Sequence, residues 1–72
     1  MHAKQNIKYQ GRRNGYRIYD YDYRDDLGQP GRYRGVMAQE IAVQLPTAVS
    51  RRADGYLQVD YSQLGFDLEK IG

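Results

Sequence analysis

Apolar and acidic residues alternate along Tyr16-Arg17-Ile18-Tyr19-Asp20-Tyr21-Asp22-Tyr23, and this period of two is the clearest structural signal in the chain. Tyrosine packs well on a pleated surface, so the segment reads as a strand. Alternation puts Tyr19, Tyr21 and Tyr23 on one face, begun by Arg17. The other face carries Tyr16 and Ile18 and then turns acidic. Asn14-Gly15 just before it is a turn dipeptide, because both residues tolerate positive φ. Upstream, residues 1–13 are polar, with Ile7 and Tyr9 the sizeable apolar side chains. They read as a mobile N-terminal arm, with at most a short strand at 7–9. Asp25, Asp26, Gly28, Gln29, Pro30 and Gly31 make a loop, and residues 32–37 a second strand antiparallel to the first.

The period then lengthens. Ala38, Ile41, Ala42 and Leu45 fall at i, i+3, i+4 and i+7, the spacing of one helix face, and Pro46 stops the helix. Residues 48–51 and 56–59 read as strands joined through Asp54-Gly55. Asp60 with Gln63 three residues on resembles a capping box. Tyr61, Leu64, Leu68 and Ile71 then make the seam of a last helix, weakened by Gly65 by about 1 kcal/mol. The predicted order is β-β-α-β-β-α. The predicted fold class is α+β: a small antiparallel sheet of about four strands, one central helix and a short C-terminal helix, all in a single domain over 14–72.

Composition changes the picture mainly by exclusion. The chain has 72 residues and 8.4 kDa, with no cysteine and one histidine, His2. Disulfides and a His-rich metal site are excluded, and no cofactor is implied. A domain this small usually needs a staple, which here must be another polypeptide. Mean hydropathy is −0.88 and aliphatic residues are sparse, but 8 tyrosines can bury rings while keeping their hydroxyls wet or bonded. Tyrosine is therefore expected to do much of the core's work. The net charge of +2 is a weak bias, far from the field of a dedicated nucleic-acid binder. No stretch is long and apolar enough for a membrane span, and the start lacks the apolar segment of a signal peptide. The expectation is a cytoplasmic protein at synthesis, with virion association as a later fate.

The chemistry-bearing residues are few. Asp20/Asp22 and Asp25/Asp26 are paired carboxylates, but alternate strand positions beside a loop read more simply as a solvated face than as an acid–base pair. Ser50, Ser62 and His2 offer no triad geometry. Gly28, Gly31 and Gly35 do not have phosphate-loop spacing. Lys8-Tyr9, Arg12-Arg13, Tyr16-Arg17, Arg32-Tyr33-Arg34 and Arg51-Arg52 interleave base-stacking and phosphate-binding side chains. That gives an alternative, a small nucleic-acid-binding module, which Asp20 and Asp22 in the same strand oppose.

Several segments together resemble the C-terminal intramolecular chaperone domain of phage endosialidases, tail spikes and tail fibres. Lys4-Gln5-Asn6-Ile7 is similar to the K-x-N-I that opens that domain, and Asn14 to Tyr23 to its first aromatic strand. Gly35-Val36-Met37-Ala38-Gln39-Glu40 is similar to its G-x-x-A-Q-E, followed by Pro46 and Ala48-Val49. Asp54-Gly55-Tyr56-Leu57-Gln58-Val59-Asp60-Tyr61 resembles its D-G-Y-x-x-V-D-Y. The resemblance implies a domain that helps fibre or spike chains of a phage or prophage register and fold. Its implied partners are copies of itself, as a trimer if family-like, and a fibre stem. It also implies self-cleavage by a Ser-Lys pair in S-D-x-R-x-K. Lys4 matches that Lys and His2 stands where the family has Arg. The Ser and Asp would precede Met1, so no catalytic set is complete in this sequence.

The expectation is thus a non-catalytic chaperone-type domain. A second alternative is a self-cleaving fragment whose Ser lies upstream. Gly35, Gln39, Glu40, Gly55, Asp60 and Tyr61 are the residues expected to matter for fold or assembly, with Gln39 and Glu40 hydrogen-bonding either within the fold or across a subunit boundary. Tyr19, Tyr21 and Tyr23 are the expected aromatic contact face.

Overall fold

A tight turn organises the first half of the chain. Asn14 and Gly15 take φ values of 54° and 82°, the paired positive angles whose twist matches a two-residue hairpin. The hairpin joins β1 (Lys4–Arg13) to β2 (Tyr16–Tyr23), with Arg13 opposite Tyr16. The structure, a computed structural model, describes residues 4–23 and 30–72. Asp25, Asp26, Gly28 and Gln29 of the predicted loop lie outside the described residues.

The chain continues through β3 (Arg32–Gly35), α1 (Ala38–Gln44), β4 (Val49–Arg51), β5 (Leu57–Val59) and β6 (Glu69–Lys70), with single 3₁₀ turns at Pro46–Ala48 and Tyr61–Gln63. One sheet has the strand order β1-β2-β3-β6, and β4-β5 form a separate two-stranded sheet; every pairing is antiparallel. The architecture is therefore mostly antiparallel strands plus one helix, consistent with α+β.

Two expectations are corrected. Residues 1–13 are not an arm throughout, because Lys4–Arg13 is a ten-residue strand. Its pattern is hidden by two bulges. Between Gln5 and Lys8, and again between Tyr9 and Gly11, β1 uses one more residue than β2. Asn6 and Gly11 supply the positive φ values of 56° and 105° there. Each bulge resets which face a residue occupies, so no alternation survives in the sequence.

The last helix is also absent. Asp60 caps only the turn Tyr61–Gln63, and Gly65 at φ 87° then diverts the chain. Asn14 Nδ2 donates to the Leu64 carbonyl at 3.1 Å, satisfying an acceptor that a helix would have used. Glu69 and Lys70 pair with Arg34 and Tyr33 as the fourth strand of the sheet. The predicted strands at 48–51 and 56–59 form their own hairpin instead of joining that sheet.

The helix before Pro46 does form. Its seven residues are too few for stability by propensity, and Met37 supplies no side-chain cap. Burial of Ala38 and Ile41 holds it in place. The buried cluster is aliphatic (Ile18, Val36, Ile41, Ala48 and Leu64), with Tyr16, Tyr61 and Phe66 packed around it. Tyrosine thus frames the core more than it fills it, with Tyr21 the exception at 0% exposure. Among the described residues, no helix is long and apolar enough to cross a membrane.

Candidate functional site

The two faces of β2 carry different chemistry. On one, Asp20 and Asp22 stand opposite Arg34 and Arg32 of β3. Arg34 grips Asp20 with two hydrogen bonds, Nε to Oδ1 at 2.7 Å and Nη2 to Oδ2 at 3.1 Å. Those bonds hold the Asp20 carboxyl below the usual carboxylate range, although it is only 7% exposed. Asn6 donates to Asp22 at 2.8 Å and Arg32 does so at 3.1 Å, lowering Asp22 likewise. The expected solvated acidic face is therefore a cross-strand ion-pair ladder.

The other face carries the tyrosines. Tyr21 and Tyr23 meet edge to face with ring centroids 5.5 Å apart, and Tyr23 meets Tyr33 at 5.1 Å. Tyr61 reaches this cluster from the 3₁₀ turn, and its hydroxyl accepts from the Val36 backbone N–H at 3.1 Å. Gly35 lies beneath them. A Cβ there would collide with the Tyr61 hydroxyl, and would stand 2.7 Å from Leu68 Cδ1 and 2.8 Å from the Tyr21 hydroxyl. Only glycine lets the rings approach this backbone.

The tyrosines, Val36 and Leu68 face the β5 side chains Leu57 and Val59 across a cleft of about 210 Å3. Lys4, at the start of β1, enters it with Nζ 5.1 Å from the Tyr21 ring centroid and 5.7 Å from that of Tyr23. Burial pushes the Lys4 ammonium below its usual lysine value. Burial also pushes the Tyr21 phenol far above its usual range, reinforced by Tyr61 and Tyr23 alongside. Its hydroxyl is sealed beside those two phenols, and among the described residues none meets it in good hydrogen-bond geometry.

The remaining predicted residues separate. Tyr19 turns away from the cleft, meeting Tyr9 at 5.5 Å and donating to Glu40 at 2.9 Å. Burial, then the Glu40 contact, raises its phenol above the usual value. Glu40 also receives Arg17 at 3.5 Å, so its observed contacts lie within the fold, whereas Gln39 is exposed on α1. Gly55 occupies the β4–β5 turn at φ 89° with open space around it. Asp60 accepts from the Ser62 hydroxyl at 2.6 Å and from Gln63 at 3.1 Å, which lowers its carboxyl.

Sequence reasoning missed three groups. Leu57 and Val59 arrive from the separate hairpin, a long-range placement without a local signal. Asn6 holds Asp22 from the bulge in β1, a cross-strand contact that no local sequence pattern marks. Tyr9 is the exposed ring, at 54%, on the sheet's outer strand. Among the described residues, no group of acidic or histidine side chains is arranged to hold a metal ion. No family model, curated protein or solved structure matches this chain.

Proposed function

We propose that this chain is a non-catalytic assembly domain of the phage tail-fibre and tail-spike chaperone type, acting by self-association and by contact with a fibre stem. The observation that carries this reading is the uncovered apolar surface on β1. Ile7 and Tyr9 are 49% and 54% exposed on the outer strand of the four-stranded sheet. An aromatic and a branched aliphatic side chain on one accessible strand supply contact area at low entropic cost. Val43 on α1 and Ile71 near the C-terminal end add further exposed apolar area. The aliphatic cluster is small for a domain of this length, so burial against a neighbour would add a meaningful share of the stability.

Charge supports a polypeptide partner over a nucleic acid. Arg13, Arg17, Arg32, Arg34 and Arg52 each contact a carboxylate, which withdraws them from phosphate binding.

Thermal unfolding over a wide range of protein concentration tests the proposal. Association predicts a midpoint that rises with concentration, and replacement of Ile7 and Tyr9 by serine removes the rise. A midpoint independent of concentration contradicts it.

One observation favours the self-cleaving variant of this reading. Lys4 is desolvated, as a lysine acting as general base for a serine must be. If a Ser-Asp precedes Met1 in a longer product, Lys4→Ala abolishes processing; unchanged processing removes Lys4 from that role.

A further inference from the structure

The cleft between the tyrosine face and the β4–β5 hairpin has the walls of a ligand site. At about 210 Å3 it exceeds the roughly 150 Å3 that suffices for a benzene ring. Tyr21, Tyr23, Val36, Leu57, Val59 and Leu68 make most of its surface aromatic or aliphatic.

Positive charge enters through Arg52 and Lys4, and the two differ. Arg52 is held by Asp54 at 3.0 Å. Lys4 lies over two phenol rings, and no carboxylate among the described residues pairs with it. Ring faces attract a cation but replace only part of its lost hydration. The Tyr21 hydroxyl is sealed beneath the rings beside the Tyr61 and Tyr23 phenols, which leaves Lys4 as the charged group in the cleft that no carboxylate among the described residues holds. A cation held only by ring faces, above apolar walls, is a group that an anion with an apolar body would complete.

We propose that this cleft binds a small monocarboxylic acid whose apolar body is about the size of one aromatic ring, with the carboxylate on the Lys4 ammonium and the body between Tyr23 and the β5 side chains Leu57 and Val59. A single negative charge suits the site. Of the two cations in its lining, Arg52 is already held by Asp54, so a multiply charged anion would bring more negative charge than the one ammonium matches. The cleft takes Lys4 from β1 but neither Ile7 nor Tyr9, through which the chain is proposed to associate, so either proposal can fail alone.

The test is a titration of the full-length, isotopically labelled chain with sodium benzoate, benzamide and inorganic phosphate, followed through backbone amide resonances. Benzoate is expected to shift Val36, Leu57 and Val59 saturably and to bind about tenfold or more tighter than benzamide, with phosphate causing no shift there. Lys4→Met should erase the preference for benzoate while leaving weak binding of both aromatic probes, and Lys4→Arg should keep it. Leu57→Trp, which fills the cleft from β5, should block both. If that variant unfolds, as seen from loss of amide dispersion, the Lys4 pair decides alone. Equal affinity for benzoate and benzamide, a preference that survives Lys4→Met, shifts confined to the Arg12, Arg17 and Tyr9 surface, or no saturable shift at millimolar benzoate would each overturn the proposal.

Discussion

Strand β2 buries polar groups on both faces and satisfies them on only one. On the acidic face, Asp20 and Asp22 meet arginines across the sheet, so each carboxylate is matched by donors. On the tyrosine face, Tyr21 is more deeply buried than Asp20, yet its hydroxyl is unpartnered and the nearby Lys4 has only ring faces. A satisfied polar layer fixes register, because a slip of one residue would break every pair. The Tyr21 hydroxyl is sealed from any ligand, so the binding capacity of this face lies in Lys4, where a counter-charge gains more than it would in water. The first face holds the strands together, and the second is where something else can bind.

The largest expected effect comes from the aliphatic cluster into which β2 sends Ile18, on the acidic side of the strand. Ile18 is buried in the aliphatic cluster with Val36 and Ile41. Ile18→Ala should cost about 2–5 kcal/mol in denaturant unfolding. A loss well below 1 kcal/mol would show that this cluster is not the core.

Gly35→Ala comes next, at roughly 1–3 kcal/mol, because the added methyl meets Tyr61, Leu68 and Tyr21 at once. Its signature should be a change in the tyrosine environment, read by near-ultraviolet circular dichroism, with the acidic face undisturbed.

Acid should then separate the faces. The carboxyls of Asp20, Asp22 and Asp60 are all lowered from an ordinary 3.8. Their stabilisation is fully present above that ordinary value. It disappears as pH falls through the lower folded values, because the unfolded chain takes up protons first. Unfolding midpoints measured from neutral pH to about pH 2 should therefore decline in acid. Asp20→Asn should lower stability near neutrality and flatten the decline.

The smallest effect is expected at Tyr21. Removing an unpartnered buried hydroxyl takes away a desolvation penalty, so Tyr21→Phe should be neutral or stabilising by up to about 1 kcal/mol. A clear destabilisation would mean that the hydroxyl is bonded after all, and would erase the contrast between the faces.

What could be read in advance divides along the line between local and distant causes. The Asn14-Gly15 turn, the alternating strand after it and the helix that stops at Pro46 follow from neighbouring residues, and all three form. Strand β1 was hidden because the bulges at Asn6 and Gly11 scramble its alternation. The C-terminal segment misled in the opposite sense. Tyr61, Leu64 and Leu68 keep a helical spacing, yet Gly65 turns the chain, and Leu64 is buried in the aliphatic cluster while Tyr61 and Leu68 line the cleft. Glu69 and Lys70 become a strand only because β3 has an open edge. The site divides the same way. Tyr21 and Tyr23 were visible as part of a stripe, whereas Tyr19 of the same stripe lies outside the cleft and no pattern placed Lys4 within it. The cleft itself depends on where the β4–β5 hairpin lies, and a long-range docking of that kind leaves no mark in a sequence window.

The central claim is that the apolar side chains of β1 are covered by another polypeptide chain. Sedimentation equilibrium of the full chain across a range of concentrations tests it most directly. The account predicts a mass that rises to a defined multiple of 8.4 kDa and falls back when Ile7 and Tyr9 are replaced by serine. A mass of 8.4 kDa at every concentration, in both proteins, would contradict it.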